Sequence, residues 1–149
     1  MTMKKYASLL ILSLAFFFFS CEKGTFPNSM SVSEFQTYTN ARNIACTEKL
    51  NHDGEKVALT GYVFKINVWQ NGNRFSIYEN TTINSVGLEV HVKDNSDEIF
   101  EKLSEKLSNS DMVEISIRGK ISSEPLYING DCLMGAFVDI DNDNDIRFE

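Results

Sequence analysis

Near the end of the chain, alternate positions carry Asp139, Asp141, Asp143 and Asp145. Asp141, Asp143 and Asp145 have the spacing of the first three oxygen ligands of a calcium-binding loop, and hard cations need several such oxygens at once. The sixth loop position, where a glycine would make the turn, is Ile146, and the sequence reaches Glu149 short of the twelfth position that holds a bidentate glutamate. The expectation is a solvated acidic segment, with calcium-dependent assembly or adhesion left as an alternative. Enzyme chemistry has less to stand on. His52 falls in the turn Asn51-His52-Asp53-Gly54 and His91 in an apolar alternation, and no GxSxG, HExxH, CxxC or glycine-rich phosphate loop occurs. Catalytic groups can assemble from distant positions, but the residues offer no nucleophile and base to start from. A non-catalytic binding protein without a cofactor is expected.

Cys21 directly follows four phenylalanines, Phe16 to Phe19, and Ser20. Ahead of them stand Lys4 and Lys5 and an uncharged stretch beginning at Ala7, the positive, apolar and small-residue order of a secretory leader. The apolar part is short of the roughly 20 residues needed to cross a bilayer. Phe18-Phe19-Ser20-Cys21 resembles the bacterial lipoprotein lipobox, keeping the small residue before the cysteine and departing from the usual leucine and small residue at Phe18 and Phe19. That resemblance implies that residues 1–20 are removed, that Cys21 is diacylated on sulfur and acylated on its new amine, and that the protein is held in the cell envelope, facing the periplasm or outer-membrane surface. Several acyl chains give lasting attachment where one would exchange. Residues 21–30, with Gly24, Pro27, Asn28 and Ser29 and no hydrophobic period, read as a tether.

Loss of the leader takes Lys4 and Lys5 from the 14 basic residues, leaving 12 against 21 acidic ones and a formal charge of −9. Such an excess disfavours nucleic acid and anionic headgroups as partners on electrostatic grounds. The remaining 129 residues suit one domain, 31–149 beyond the tether. Cys46 and Cys132 are left over; outside the cytoplasm they can oxidise to a disulfide, and two free buried thiols are the rival reading.

The elements that must position these groups read in order. Ser31 and Glu34 form a capping box ahead of Phe35, Tyr38, Ala41 and Ala45, predicting a helix that ends before Leu50. Val57, Leu59, Gly61 and Val63, with Tyr62, Phe64, Ile66 and Val68 on the other side, predict a long strand bent at Gly61. Asn71-Gly72-Asn73 turns into a second strand at Phe75–Tyr78; Val86, Leu88, Val90 and Val92 make a third. A helix follows from Asn95 with Ile99, Phe100, Leu103 and Leu107 as its stripe and a Glu98–Lys102 pair on its surface. Val113, Ile115, Ile117 and Ile121 form a fourth strand, and after Asn129-Gly130-Asp131 a fifth carries Met134, Ala136, Val138 and Ile140.

A mainly β chain with two helices, in the order β-β-β-α-β-β behind an N-terminal helix, resembles the OB-fold, a five-stranded Greek-key barrel. Val57-Ala58-Leu59-Thr60-Gly61-Tyr62-Val63 and Val113 to Ile121 are similar to paired segments of the tRNA-anticodon-like OB group. That resemblance implies antiparallel first and fourth strands, which would bring Cys46 toward Cys132 and close a loop of 86 residues. It also implies a ligand face on the second and third strands, with Tyr78, His91 and Lys93 outward, Tyr62, Phe64 and Trp69 near the bend and Arg74 at the hairpin. Glu79 and Glu89 sit among them and no basic stripe appears, so an envelope protein or small envelope ligand is the expected partner, and an oligonucleotide or other polyanion the alternative.

Overall fold

The computed structural model describes residues 24–93 and 97–149, so Cys21, its leader and the first residues of the tether lie outside the described part. Within it are two α-helices and seven strands: α1 Val32–Thr39, β1 Lys56–Phe64, β2 Val68–Trp69, β3 Arg74–Tyr78, β4 Gly87–Val92, α2 Asp97–Lys106, β5 Met112–Ile128, β6 Asp131–Ile140 and β7 Ile146–Phe148. None of the described helices is long and apolar enough to cross a membrane.

Period-two alternation is what makes these strands. Val57, Leu59, Gly61 and Val63 of β1 are all buried while their neighbours are not, and Leu88, Val90 and Val92 do the same in β4. The sheet runs β1-β3-β4-β6-β5, and β5 pairs β1 again, so the pairings return to their start. Only β4 with β6 is parallel; the other pairs are antiparallel. β5 makes the return possible by changing partner midway. Met112–Lys120 pairs with β1 and Lys120–Ile128 with β6, Lys120 meeting both Lys56 and Asp139. Inside lie Leu59, Phe75, Ile77, Ile115, Ile117, Ile121 and Ile140, each with no exposed surface. α2 adds Ile99, Phe100 and Leu103 and α1 adds Val32 and Phe35, side chains worth about 1.5–3 kcal/mol each when fully buried.

Two positions need what only particular residues give. A Cβ at Gly61 would stand 2.5 Å from the Tyr78 carbonyl oxygen and 2.7 Å from Ile77, where β1 crosses β3. Asn129 at φ 52° and Gly130 at φ 92° make the two-residue turn between β5 and β6, both left-handed as such hairpins require.

Four local readings change. The first helix stops at Thr39 rather than running toward Leu50, with Asn40 and then Arg42 left-handed at φ 57° and 63°. Residues 42–46 instead lie along the free edge of β6: Arg42 N–H donates to Met134 O, Cys46 N–H to Cys132 O and Met134 N–H to Ile44 O. A sheet edge with unpaired backbone groups outcompetes a helical spacing carried by two alanines. The first strand ends at Phe64, a short 3-10 turn Lys65–Asn67 follows, and Ile66 is 71 % exposed rather than part of a bent strand. Lys102 turns away from its neighbour Glu98 to Asp143, at 2.8 Å.

The fourth change concerns both ends. Ile146–Phe148 is a strand, β7, pairing Ile115–Ile117 on the side of β5 that β6 has left. Residues 25–30 are no free tether: Met30 N–H donates to Ala58 O, Thr60 N–H to Met30 O and Phe26 N–H to Ser116 Oγ at 3.0 Å, and the Phe26 side chain is 3 % exposed. Arg118 and Arg147 lie over its ring, 4.9 and 4.0 Å from the centroid. Phe26 is the apolar residue that pins this segment down.

Candidate binding face

Because Val57 to Val63, Phe75, Ile77 and Leu88 to Val92 point inward, the alternate residues of β1, β3 and β4 share the opposite face. Register then decides who meets whom. Tyr62 is opposite Tyr78 across β1 and β3, and the Phe64 ring meets Tyr78 edge-on, 5.4 Å between centroids. Asn67 Nδ2 donates to Tyr78 Oη at 2.6 Å, fixing the phenol from the turn after β1. Across β1 and β5 Tyr62 is paired with Glu114, whose carboxylate, by its charge first and then with burial and a hydrogen bond, holds the Tyr62 phenol above its ordinary pKa.

Arg74, opposite His91 on β4, begins the second half of the face. Its guanidinium lies 5.8 Å from the Trp69 ring centroid and 3.3 Å from Glu89 Oε1. The same Glu89 oxygen is 2.5 Å from His91 Nε2, so one carboxylate oxygen meets both the guanidinium and the imidazole. The parallel neighbour β6 contributes Phe137, whose ring is 4.0 Å from that of His91, and Asp139, which accepts from Ser122 Oγ at 2.6 Å. Trp69 remains 41 % exposed.

Six of the seven expected residues, Tyr62, Phe64, Trp69, Arg74, Tyr78 and His91, therefore lie on this face. The seventh, Lys93, follows the end of β4 beside them: its ammonium pairs with Asp141 at 2.5 Å, and that hydrogen bond keeps the lysine pKa above its usual value. Phe137 and Asp139 were not singled out for this face from the sequence; their parity on β6 pointed outward, but only the parallel β4–β6 pairing brings them to His91. The depression beside the face is small, about 110 Å³, lined by Gln36, Arg42, Glu89, Glu124 and Phe137. A larger groove of about 480 Å³ lies between the turn after β1 and α2, lined by Lys65, Val68, Gln70, Phe100, Ser104 and Leu107.

The acidic segment spreads its carboxylates. Between the Lys120–Asp139 and Ile117–Ile146 pairs, β5 has two residues and the returning chain has six, so the chain loops out of the sheet over 141–145 once Ile140 has closed β6. Asp141 goes to Lys93, Asp143 to Lys102 at 2.8 Å and Asp145 to Arg118 at 3.2 Å. The Lys102 hydrogen bond holds the Asp143 carboxyl below its ordinary pKa. Among the described residues no three His, Cys, Asp or Glu side chains are placed to hold one metal ion. The remaining histidine, His52, stacks on Tyr38 at 3.7 Å, and Glu55 accepts from Tyr38 Oη at 2.9 Å while standing 3.1 Å from His52 Nδ1. Cys46 and Cys132 are joined as a disulfide with Cα atoms 5.4 Å apart, bonded where residues 42–46 flank β6.

No protein-family model and no curated protein matches the chain. Among solved structures it is similar to an OBody, AM2EP06, bound to hen egg-white lysozyme, with a TM-score of 0.47 and 14 % identity over 84 % of this chain and 96 % of that one.

Proposed function

We propose that this chain is a non-catalytic interaction module, a five-stranded OB-fold Greek-key barrel fastened through lipid on Cys21 to the extracytoplasmic side of a bacterial membrane. The pairing order supports the architecture. Numbering β1, β3, β4, β5 and β6 as first to fifth, the first pairs with the second and the fourth, the third runs parallel to the fifth, and α2 falls between the third and fourth. The leader, the small residue before Cys21 and the disulfide of a chain exported to an oxidising compartment support the address.

The proposed partner is a protein, and one observation carries that choice: the cations of the outward face are already occupied. Arg74 is paired with Glu89 and Lys93 with Asp141, so little positive charge is left on this face to meet a phosphate backbone. Exposed Trp69 with the Tyr62, Phe64, Tyr78 and Phe137 rings offers the aromatic area that protein interfaces favour. The depression of about 110 Å³ beside them is smaller than the roughly 300–1,000 Å³ of small-ligand sites.

The test places a photo-crosslinking amino acid at Ser76, between Arg74 and Tyr78 on β3, and at Lys106 on α2, in intact cells. A protein adduct at Ser76 that is absent at Lys106 and is lost when Tyr78→Ala and Trp69→Ala are added supports the reading. Adducts of equal yield at both positions, or none at Ser76, overturn it. Feeding a clickable palmitate analogue tests the anchor separately, since an unlabelled product would remove lipid from the account.

A further inference from the structure

The tether expected over residues 21–30 is spent before it can act as one. From Thr25 onward the backbone is bonded to the body: Arg147 Nη1 donates to Thr25 O at 3.2 Å, Phe26 to Ser116, and Met30 joins β1 in a parallel bridge to Leu59. Three residue steps separate Cys21 from Gly24, and at about 3.3–3.6 Å per residue they reach at most about 11 Å. The place where the chain leaves the body is also settled. Thr25 and Phe26 lie against Ser116, with Arg118 and Arg147 over the Phe26 ring, on the outward side of β5 and β7.

That outward side has a charge of its own. Lys56 of β1 is directly opposite Lys120 of β5, and Arg118 and Arg147 follow along the same face. Two lysines facing each other across a ladder repel and cost stability, so the pair is unexplained by the sheet alone. Neither Lys56, Lys120 nor Arg147 has a carboxylate partner among the described ion pairs; Arg118 has Asp145. These four are a third of the 12 cations that remain after the leader in a chain of formal charge −9. Asp139 of β6 stands directly opposite Lys120 and Asp145 pairs with Arg118, so Lys56 and Arg147 are the cations of the strip with no carboxylate opposite them in register.

We infer that the short anchor holds this β1–β5–β7 face against phospholipid headgroups, with Lys56, Lys120, Arg118 and Arg147 toward anionic phosphates and the β3–β4 face turned away. The inference rests on the lipid reading of Cys21 and adds to it a fixed orientation. A long flexible tether would let the domain tumble; a reach of about 11 Å is shorter than the domain is wide and lets only the exit face meet the surface. Attraction between basic side chains and anionic lipid then adds to the constraint despite the overall negative charge, because only the near side lies within a Debye length.

The experiment uses the full chain, lipidated in a bacterial host and reconstituted in nanodiscs of phosphatidylethanolamine with phosphatidylglycerol, beside the Cys21→Ser form free in solution. Both are treated briefly with an amine-acylating reagent and the labelled lysines are read by mass spectrometry. The expected result is protection of Lys56 and Lys120 by about fivefold in the nanodisc, the order set by the attraction of each basic side chain to an anionic surface. Lys93, after β4 and two strands away from β5, should label alike in both forms. A flexible Gly-Ser insertion of about twenty residues between Lys23 and Gly24, adding about 25 Å of reach, should abolish most of the protection. Equal labelling of Lys56 and Lys120 in a chain whose mass carries the acyl groups overturns the orientation and leaves the anchor standing. Protection that survives the insertion also overturns it, and a recovered chain with no acyl mass overturns the anchor and the orientation together.

Discussion

The Phe26 amide donates to the Ser116 hydroxyl at 3.0 Å across 90 residues of sequence. Ser116 has no exposed surface and Phe26 only 3 %, so the bond is closed to water on both sides. Ser116→Ala leaves a buried N–H without its acceptor and is expected to cost about 1–3 kcal/mol. Phe26→Ala, which empties the site beneath Arg118 and Arg147, is expected to cost about 3–5 kcal/mol. Urea unfolding of the Cys21→Ser protein, followed by circular dichroism, measures both. Losses below about 0.5 kcal/mol, the ordinary scale of surface substitutions, would mean that residues 25–30 are not part of the folded body.

Joining Cys46 to Cys132 closes a loop spanning 86 residues. In the chain-entropy account a closure of this size stabilises the native state by about 4 kcal/mol. The Cys46→Ala, Cys132→Ala double variant should therefore unfold at clearly lower urea with an unchanged core. Alkylation of the wild-type protein without reductant should find neither thiol available; two alkylated cysteines would contradict the bridge.

Asp143 gives a pH dependence with a definite sign. Its carboxyl lies below its ordinary value of 3.8 because Lys102 donates to it. A group whose folded pKa is depressed contributes stability that is complete above the unfolded value and is lost as pH falls through the folded one. Asp143→Asn should lower Tm near pH 7, and the deficit should shrink as pH falls through the folded pKa, below which both side chains are uncharged. A deficit that stays equal as pH falls would show that the carboxylate acts through shape and not charge.

Calcium should leave the melting temperature where it is. Asp141, Asp143 and Asp145 each hold a different cation, on the segment after β4, on α2 and on β5, and a calcium ion would have to displace all three to gather their oxygens. A titration to millimolar calcium tests this: a ligand that binds only the folded state raises Tm with concentration, and such a rise would show that 141–145 rearranges into a binding loop.

Single-stranded DNA should give no adduct with a photo-crosslinking residue at Ser76 at moderate salt, since Arg74 beside it is committed to Glu89. A Ser76 adduct whose yield falls as salt rises would point to phosphate contacts on this face and favour the polyanion reading.

Local signals in the sequence were read correctly wherever the cause was local. The alternation of Val57, Leu59 and Val63, the stripe Ile99, Phe100 and Leu103, and the Asn129-Gly130 turn each fix their own element. Ala41 and Ala45 carried the same period as a helix, yet the edge of β6 took their backbone, and no residue near them announces that edge. The strand Ile146–Phe148 was hidden in an acidic stretch because three residues are too few to show a period. On the candidate face, parity along β1, β3 and β4 brings Tyr62, Phe64, Arg74, Tyr78 and His91 together; Phe137 comes from a parallel neighbour, and the Asp141 partner of Lys93 comes from the loop after β6, which the parity of β4 cannot show.

β5 meets β1 across a sequence interval that runs from Lys56 to Lys120, and its last partner, β7, follows all the other described strands along the chain. A chain threaded through an export channel from its amino end would deliver β1 well before the strand that completes it. In that interval β1 presents an unsatisfied ladder to every other nascent chain nearby, and non-local closure of this kind is slow. The Cys46–Cys132 crosslink, in turn, can form only after residue 132 has emerged, so it locks a fold whose first strand has already waited for its partner.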